Sequence, residues 1–344
     1  MTEPAILVSG ETLVDLLPDR PGPLRGVERF TRRAGGAPAN VAIALARLGV
    51  TPYFHSRIAT DPFGEFLAGA LADAGVPARF VTRDPERRTG LAFVSHDDDA
   101  DRGFTFFRER SADTALDDAV VPDEVLADLE YVYVGGVLLP TEPARTSTFS
   151  LVERAGAQGC AVFFDPNYRP ELWPDDDAYR TTLDRMLALA DVVKATPEDF
   201  AASRFADDDP LDVAAGVAEA GPHTVFLTRG AAGATAVATD DAPWPSGTVT
   251  HRGYPVDPVD TTGAGDAFTA GVLAALATDV AGQEAAVATD RAGDGSTPGP
   301  GDVPSLGDAL DFANAVAAFT TTAEGAITAL PDRAAVRAFR ERHG

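Results

Sequence analysis

The chain predicts an α/β fold built on a largely parallel sheet flanked by helices, with a second, smaller sheet beside it. Three observations carry this expectation. Short apolar runs alternate with amphipathic segments over most of the 344 residues, the rhythm of strand–helix–strand units. Glycines such as Gly49 and Gly75 close the amphipathic segments, where a helix needs a left-handed stop. Two stretches break the rhythm with paired short β-like segments, 13–17 with 27–33 and 90–95 with 104–107.

Residues 5–9 read as the first strand, followed by a helix at 40–48 (NVAIALARL), a strand at 51–56 and a helix at 62–74. Further strands are expected at 131–135, 161–165, 192–195, 224–228 and 234–238. Helices at about 142–158, 179–189 and 211–220 lie between them. The main domain is therefore expected over 1–12, 34–89 and 109–344, and the small sheet over 13–33 and 90–108. Residues 278–307, rich in Gly, Pro, Asp and Ala and without periodicity, read as a surface insertion, because the apolar pattern resumes at Asp308.

Hydrophobic residues make up 45% of the chain, enough for a packed core, and no apolar run reaches the length of a bilayer span. The start, MTEPAILVSG, has neither a basic region nor an apolar h-region, so a cytoplasmic location is expected. Cys160 is alone, in the apolar stretch GCAVFFD, and reads as a core residue. A net charge of −25 disfavours nucleic acid and anionic membrane as partners. Aspartate runs at 97–99, 175–177 and 207–209 read as solvated acidic loops. Lys194 is the only lysine, every other cation being arginine. An acidic, lysine-poor surface resembles proteins of salt-loving organisms, where salt screens self-repulsion, and points to a halophilic archaeal cytosol.

The chemistry concentrates in two segments. In VDTTGAGDAFTAGVLAALA (259–277), Gly263, Ala264 and Gly265 lead into an apolar helix starting near Asp266. Such a loop lets backbone N–H groups converge on an anion, helped by the helix dipole. Asp266 then stands where a carboxylate could take the proton of an attacking hydroxyl, although the dipole should lower its basicity. On GAGD alone, an aspartate capping a helix after a glycine turn is the commoner reading. In the second segment, AGGAPANVAIALARLG (34–49), the Gly35–Gly36 pair ahead of Asn40 leaves backbone open to a small polar ligand. Neither lone Lys194, which lacks a G-x-x-x-x-G-K-[ST] frame, nor the five histidines, which lack ligand spacing, suggests a P-loop or a metal centre.

Together these two segments resemble the signature regions of the PfkB (ribokinase-like) carbohydrate kinase family, closest to fructokinases. The similarity extends through GETLVDLLP (10–18), DPFG (61–64), FFDPNYRPELW (163–173), VVKATPEDF (192–200), VFLTRGAAGA (225–234) and FANAVAAFTTTAEGAITALP (312–331). The resemblance implies a Rossmann-type sheet with a small β-sheet lid over a sugar, and ATP with Mg²⁺ as cofactors. It implies that Asp15, Gly35, Gly36, Asn40, Phe106, Arg108 and Arg169 bind the sugar, with Asp266 the base and Gly263, Ala264 and Gly265 an anion hole. Lys194, Thr196, Thr228, Gly230, Gly233, Asn314 and Gly325 match nucleotide-binding positions. Asp199, where the family usually has Glu, matches a water-mediated Mg²⁺ contact, and Thr196 stands in place of the usual Asn. Asp260 and Thr262 match positions that help hold a monovalent cation such as K⁺. A homodimer through the lid is the family-based expectation.

For the sugar, the GGAPAN, DPNYRPELW and TTAEGAITALP stretches resemble fructokinases, with transfer to O1 or O6. The alternative is 2-keto-3-deoxygluconate, whose carboxylate needs a cation that Arg108 and Arg169 could supply. Phe93 and Phe106 stand where kinases of that acid tend to have tyrosine, which favours fructose. A non-catalytic sugar sensor would be expected to lose Asp266 or the glycine loop, and both are present. A dinucleotide-binding oxidoreductase should show G-x-G-x-x-G after the first strand, where GETLVDLLP stands instead. The charge pattern predicts that stability and activity rise with KCl concentration; full folding and turnover in salt-free buffer would remove the halophilic inference.

Overall fold

The computed structural model describes residues 3–20, 22–96, 102–277 and 305–343. The first part of the chain forms β1 (Ile6–Ser9), β2 (Leu13–Pro18), β3 (Phe30–Gly35), α1 (Ala37–Arg47), β4 (Tyr53–Ala59), α2 (Pro62–Asp73) and β5 (Val81–Asp84). Next come β6 (Leu91–His96), β7 (Arg102–Phe107), a single turn α3 (Asp123–Leu126), β8 (Tyr131–Gly135), α4 (Ala144–Ala157) and β9 (Ala161–Asp165). They are followed by α5 (Asp176–Leu187), β10 (Val192–Ala195), α6 (Pro210–Ala218), β11 (Thr224–Thr228), β12 (Ala234–Ala238) and β13 (Gly247–His251). Three helices complete the described chain: α7 (Ala264–Leu276), α8 (Leu306–Thr320) and α9 (Arg333–His343).

The large sheet has nine strands in the order β13-β12-β11-β10-β9-β8-β1-β4-β5. From β11 to β5 all neighbours run parallel, and only β12 and β13 turn back antiparallel at one edge. Its central strands are buried on both faces, and side-chain alternation divides them between two cores. Ile6, Val8, Tyr133, Phe163 and Phe226 share one core with α1, α7 and α8. Leu7, Val132, Phe164, Val193 and Val225 share the other with α4, α5 and α6. Helices α7 and α8 approach closely because Gly271 has no side chain; a Cβ there would lie 2.7 Å from the Cα of Ala313.

The order of the strands reverses at β1, which the chain leaves first towards β4 and later, through β8, in the other direction. In open α/β sheets, ligands bind beyond the carboxyl ends of the strands at such a switch point. The loops after β1, β8, β9 and β10 therefore frame the place where a site belongs.

The two irregular stretches form a four-stranded sheet of order β3-β2-β6-β7. Each is an antiparallel hairpin, and the hairpins join by parallel pairing of β2 with β6. Strand β3 starts at Phe30, three residues later than expected, because Leu24–Gly26 makes a 3₁₀ turn. Asp15 lies opposite Arg33 and Ala92, which in turn lies opposite Phe106, so these four share one face. Phe30, Phe93 and Phe107 cluster edge-to-face on the other, with ring centroids 5.2 and 5.3 Å apart.

Several expectations need correction. Helix α1 begins at Ala37 rather than Asn40, with Pro38 in its first turn, and the N–H of Asn40 bonds the carbonyl of Gly36. Asn40 is thus inside the helix, and its side chain is free of any capping duty. Edge strand β13 is exposed or half-buried, so no apolar run announces it, and α9 buries only Val336 and Phe339, on one narrow face among charged residues. Two acidic runs are more than solvated loops: Asp175 and Asp209 cap α5 and α6 by accepting from the backbone N–H of Ala178 and Leu211. The run at 97–99 lies outside the described residues. So does the insertion at 278–307 save its end, where Ser305 caps α8. Cys160 is buried as expected. Among the described residues no helix is long and apolar enough to cross a membrane.

Candidate active site

The apolar helix α7 begins one residue after Gly263, whose φ of 76° lies in the left-handed region. A Cβ at this position would stand 2.5 Å from the Cβ of Ala326, so both conformation and space require glycine. No side chain caps the helix. Apart from the Ala264 N–H, which donates to the Thr261 carbonyl at 3.3 Å, the first N–H groups lack a carbonyl four residues back within the helix and lie at a cavity lined by Gly263, Gly265 and Asp266. The cavity measures about 1090 Å³, room for a sugar and a nucleotide end to end.

Asp266 sits half-buried in the first turn of α7, on the cavity wall. Asn40 Nδ2, from α1, donates to its Oδ2 at 2.8 Å. Burial raises the Asp266 carboxyl to about 6, outweighing the opposing Asn40 bond and Lys194 charge, while Asp165 adds to the rise. The expected loss of basicity from the helix dipole is thus overturned: desolvation prevails, and the group is a better base than an exposed aspartate.

From the small sheet, Leu13, Asp15, Arg33, Phe104 and Phe106 face the same cavity, as strand alternation requires. Burial, reinforced by the charges of Asp266 and Glu11, lifts the Asp15 carboxyl to about 7. Two glycines make room here. A Cβ on Gly35 would lie 2.1 Å from Asp15 Oδ2, and one on Gly36, at φ 99°, would lie 2.6 Å from the carbonyl oxygen of Glu11.

The ends of β9 and β10 supply a buried ion pair, Lys194 Nζ to Asp165 Oδ2 at 3.1 Å. Burial opposes charge on Lys194, but Asp165, with Asp199 and Asp266 behind it, holds the ammonium protonated. Asp165 also accepts from the N–H of Asn167, a non-glycine residue at φ 42° that lines the cavity. Asp199 closes a capping box with Thr196, taking the Thr196 N–H at 2.7 Å on Oδ2 and the Tyr168 N–H at 2.8 Å on Oδ1. Asp260 ties two turns together, accepting from Thr262 N–H at 2.9 Å and from Gly325 N–H at 2.9 Å.

Of the sequence-selected residues, Asp15, Gly36, Asn40, Phe106, Arg169, Lys194, Thr196, Asp199, Asp260, Thr262, Gly263, Gly265, Asp266 and Gly325 line this one cavity. Gly35 stands behind Asp15, and Ala264 is not among the lining residues. Arg108 is placed differently from expectation. It is buried outside the lining, with Nε donating to Asp113 Oδ2 at 3.0 Å and Nη2 to the same oxygen, so its charge is already compensated. Asn314 donates to the Leu310 carbonyl within α8, and Thr228, Gly230 and Gly233 lie one strand beyond the lining residues at the end of β11. Sequence reasoning missed Glu11, Arg33, Asp165 and Asn167. A signal existed for the last two, since aspartate and asparagine around Pro166 at a strand end form a turn.

The residues can be tested against the groups that the fold implies. The uncapped helix start and the Cβ-free approach at Gly263 fit a phosphate chain. Among the described residues no group of three or more His, Cys, Asp or Glu is arranged to hold a metal. Both Asp199 oxygens are already engaged by backbone N–H groups, which fits a Mg²⁺ ion held through water by Asp199 and Asp165 and carried in with phosphates, rather than a protein cage. Asp260 and Thr262 offer hard oxygens suited to a monovalent cation.

A family model described as pfkB family carbohydrate kinase matches residues 4–333. A fructokinase of Klebsiella pneumoniae is 38% identical over 327 residues, covering 95% of this chain and 96% of that protein. The crystal structure of a double-mutant fructokinase from Vibrio cholerae O395, in a fructose, ADP and potassium ion bound form, aligns with a TM-score of 0.77 at 32% identity, covering 97% of both chains. That of a fructokinase with bound ATP from Xylella fastidiosa aligns with a TM-score of 0.77 at 29% identity, covering 98% of both. The buried Lys194–Asp165 pair yields a prediction for stability. Lys194→Met leaves Asp165 unpaired and should cost about 3–5 kcal/mol in urea unfolding; an unchanged midpoint would show that the pair is not strongly coupled to folding.

Proposed function

The chain belongs to the pfkB family of carbohydrate kinases, and from this membership and the geometry of the cavity we propose that it transfers the γ-phosphoryl group of ATP to a hydroxyl of fructose. The observation that carries the reading is Asp266: a half-buried carboxylate of raised basicity at an uncapped helix start, in one cavity with the polar side chains of the small sheet.

Fructose lies between the small sheet and α1, where Asp15 and Asn40 accept or donate to its hydroxyls and Phe106 offers an apolar wall. As one hydroxyl attacks the γ-phosphorus, Asp266 Oδ1 or Oδ2 takes its proton, and the bond from phosphorus to the β,γ-bridging oxygen breaks, releasing ADP. The α7 N–H groups after Gly263 and the dipole behind them receive the charge of the moving phosphoryl group. Magnesium, when bound, neutralises phosphate charge, and Asp165 and Asp199 are the carboxylates that would hold it through water. Burial raises the Asp165 carboxyl, and the Lys194 ammonium opposes that rise. Asp260 and Thr262 would seat a monovalent cation beside the Gly325 turn, and the nucleotide lies along Thr196, Gly263 and Gly325.

Fructose is favoured over a sugar acid because one of the two arginines that could answer a carboxylate, Arg108, is spent on Asp113, leaving Arg169 on the cavity wall. Closure of the small sheet over the sugar would exclude water from the transfer. The exposed Phe107, 61% accessible and packed with Phe93 on the face away from the cavity, supports a homodimer through this sheet.

Two outcomes follow. Asp266→Asn should lower kcat on fructose by about 10²–10⁴-fold, and wild-type kcat/KM should fall as pH drops below about 6, where the base becomes protonated. An ATP-consumption panel with fructose, glucose, ribose and 2-keto-3-deoxygluconate, repeated across pH for the preferred sugar, checks both; undiminished turnover in the mutant would reject Asp266 as base. Phe107→Asp should convert a dimer to a monomer in light scattering, and a monomeric wild type would reject the interface.

A further inference from the structure

Two buried acceptor atoms belonging to residues of the cavity wall have no hydrogen-bond partner in the protein: Asn40 Oδ1 and Glu11 Oε2. The amide of Asn40 is accounted for, since its nitrogen holds Asp266. Glu11 has no role in the steps above. It follows β1 directly, at the switch point of the sheet, and is only 1% exposed. A buried carboxylate without a partner is costly, and such groups are usually paired or answer a ligand. Arg108 is near enough to be felt electrostatically, yet Nε and Nη2 go to Asp113 and Nη1 to the Val137 carbonyl. Burial pushes the Glu11 carboxyl up to about 7, with Arg108 opposing and Asp113 and Asp266 adding to the rise. Asp15, across the same cavity, feels Glu11 as a like charge. One buried donor of the same wall, Arg33 Nε, is also without a partner, so the complement these atoms define is a ligand that both donates and accepts, as the hydroxyls of a sugar do.

We propose that Glu11 is a sugar-binding and specificity-determining residue, whose free oxygen accepts a hydrogen bond from a hydroxyl of the substrate other than the one phosphorylated, and whose charge turns away sugar acids. The inference rests on the sugar-kinase reading and deepens it by naming the class of sugar, a neutral polyol. Glu11 acts on binding and leaves the chemical step to Asp266. Its position beside the carbonyl that abuts Gly36 places it at the junction of the small sheet and α1, where one hydroxyl can be read by both.

The test compares wild type, Glu11→Gln and Glu11→Asp on fructose, other neutral sugars and 2-keto-3-deoxygluconate, with thermal melting to establish folding. Glu11→Gln should raise the KM for the neutral sugar by about tenfold or more, as loss of a charged hydrogen bond does, with the KM for ATP unchanged. Its preference for the keto acid relative to the neutral sugar should rise. A series of monodeoxy fructoses supplies a readout that a purely structural role would not move: one analogue, lacking the hydroxyl that Glu11 reads, should bind wild type and Glu11→Gln equally. An unchanged sugar KM in Glu11→Gln, or an equal loss for every analogue, overturns the proposal. So does a wild type that prefers the sugar acid. A wild type that takes a different neutral sugar overturns only the choice of fructose, and the same comparison on that sugar then decides the role of Glu11. If Glu11→Gln fails to fold, Glu11→Asp carries the comparison through its shortened reach.

Discussion

The hydrogen bond from Asn40 to Asp266 is the contact on which the site depends. It joins the first turns of α1 and α7, two helices packed on the same face of the sheet, and so fixes where the sugar side meets the phosphate side. The bond also selects one orientation of a carboxylate that burial would otherwise leave poorly solvated and unguided. Its existence requires α1 to start at Ala37, because an asparagine committed to capping could not also reach across to another helix. The glycines around it are then explained by space: Gly36 clears the Glu11 carbonyl, and Gly263 clears Ala326.

Much of this was legible in the sequence, and the parts that were not have physical reasons. Strands β8, β9, β10, β11 and β12 match the expected ranges because fully buried parallel or central strands are unbroken apolar runs. Strand β13 and helix α9 escaped because they bury little, and periodicity reports burial. In the site, GAGD and GGAPAN located Asp266 and Asn40, since glycine next to a helix start is a local signal. Glu11 carries no such signal, and the turn around Pro166 marks Asp165 only as the end of a strand. Their significance comes from what strands distant in the chain bring around them, Arg108 and Asp113 in one case and Lys194 in the other. Arg108 shows the converse: its residue type suggested an anion site, and only the tertiary partner Asp113 reveals that the charge is spent.

The cavity gathers like charges that folding alone would keep apart. Glu11, Asp15 and Asp266 are all held above the ordinary carboxyl range by burial and by carboxylate neighbours. Groups raised in this way stabilise the fold while protonated, and that contribution is lost as pH climbs through their folded values near 6 and 7. Around neutral pH the protein therefore gives up stability to keep three proton acceptors on one cavity.

Lys194 carries a different consequence. In a chain whose other cations are all arginine, the single lysine is buried against Asp165, and a Cβ on Gly265 would come within 3.2 Å of its Nζ. Whatever bias in composition shapes the solvent-facing surface has no hold at this depth, where the demand is steric: a compact ammonium fits between a carboxylate and a helix start, and a planar guanidinium is too broad. Residue usage thus becomes a record of environment, in which the lone exception to a compositional habit marks a position governed by shape.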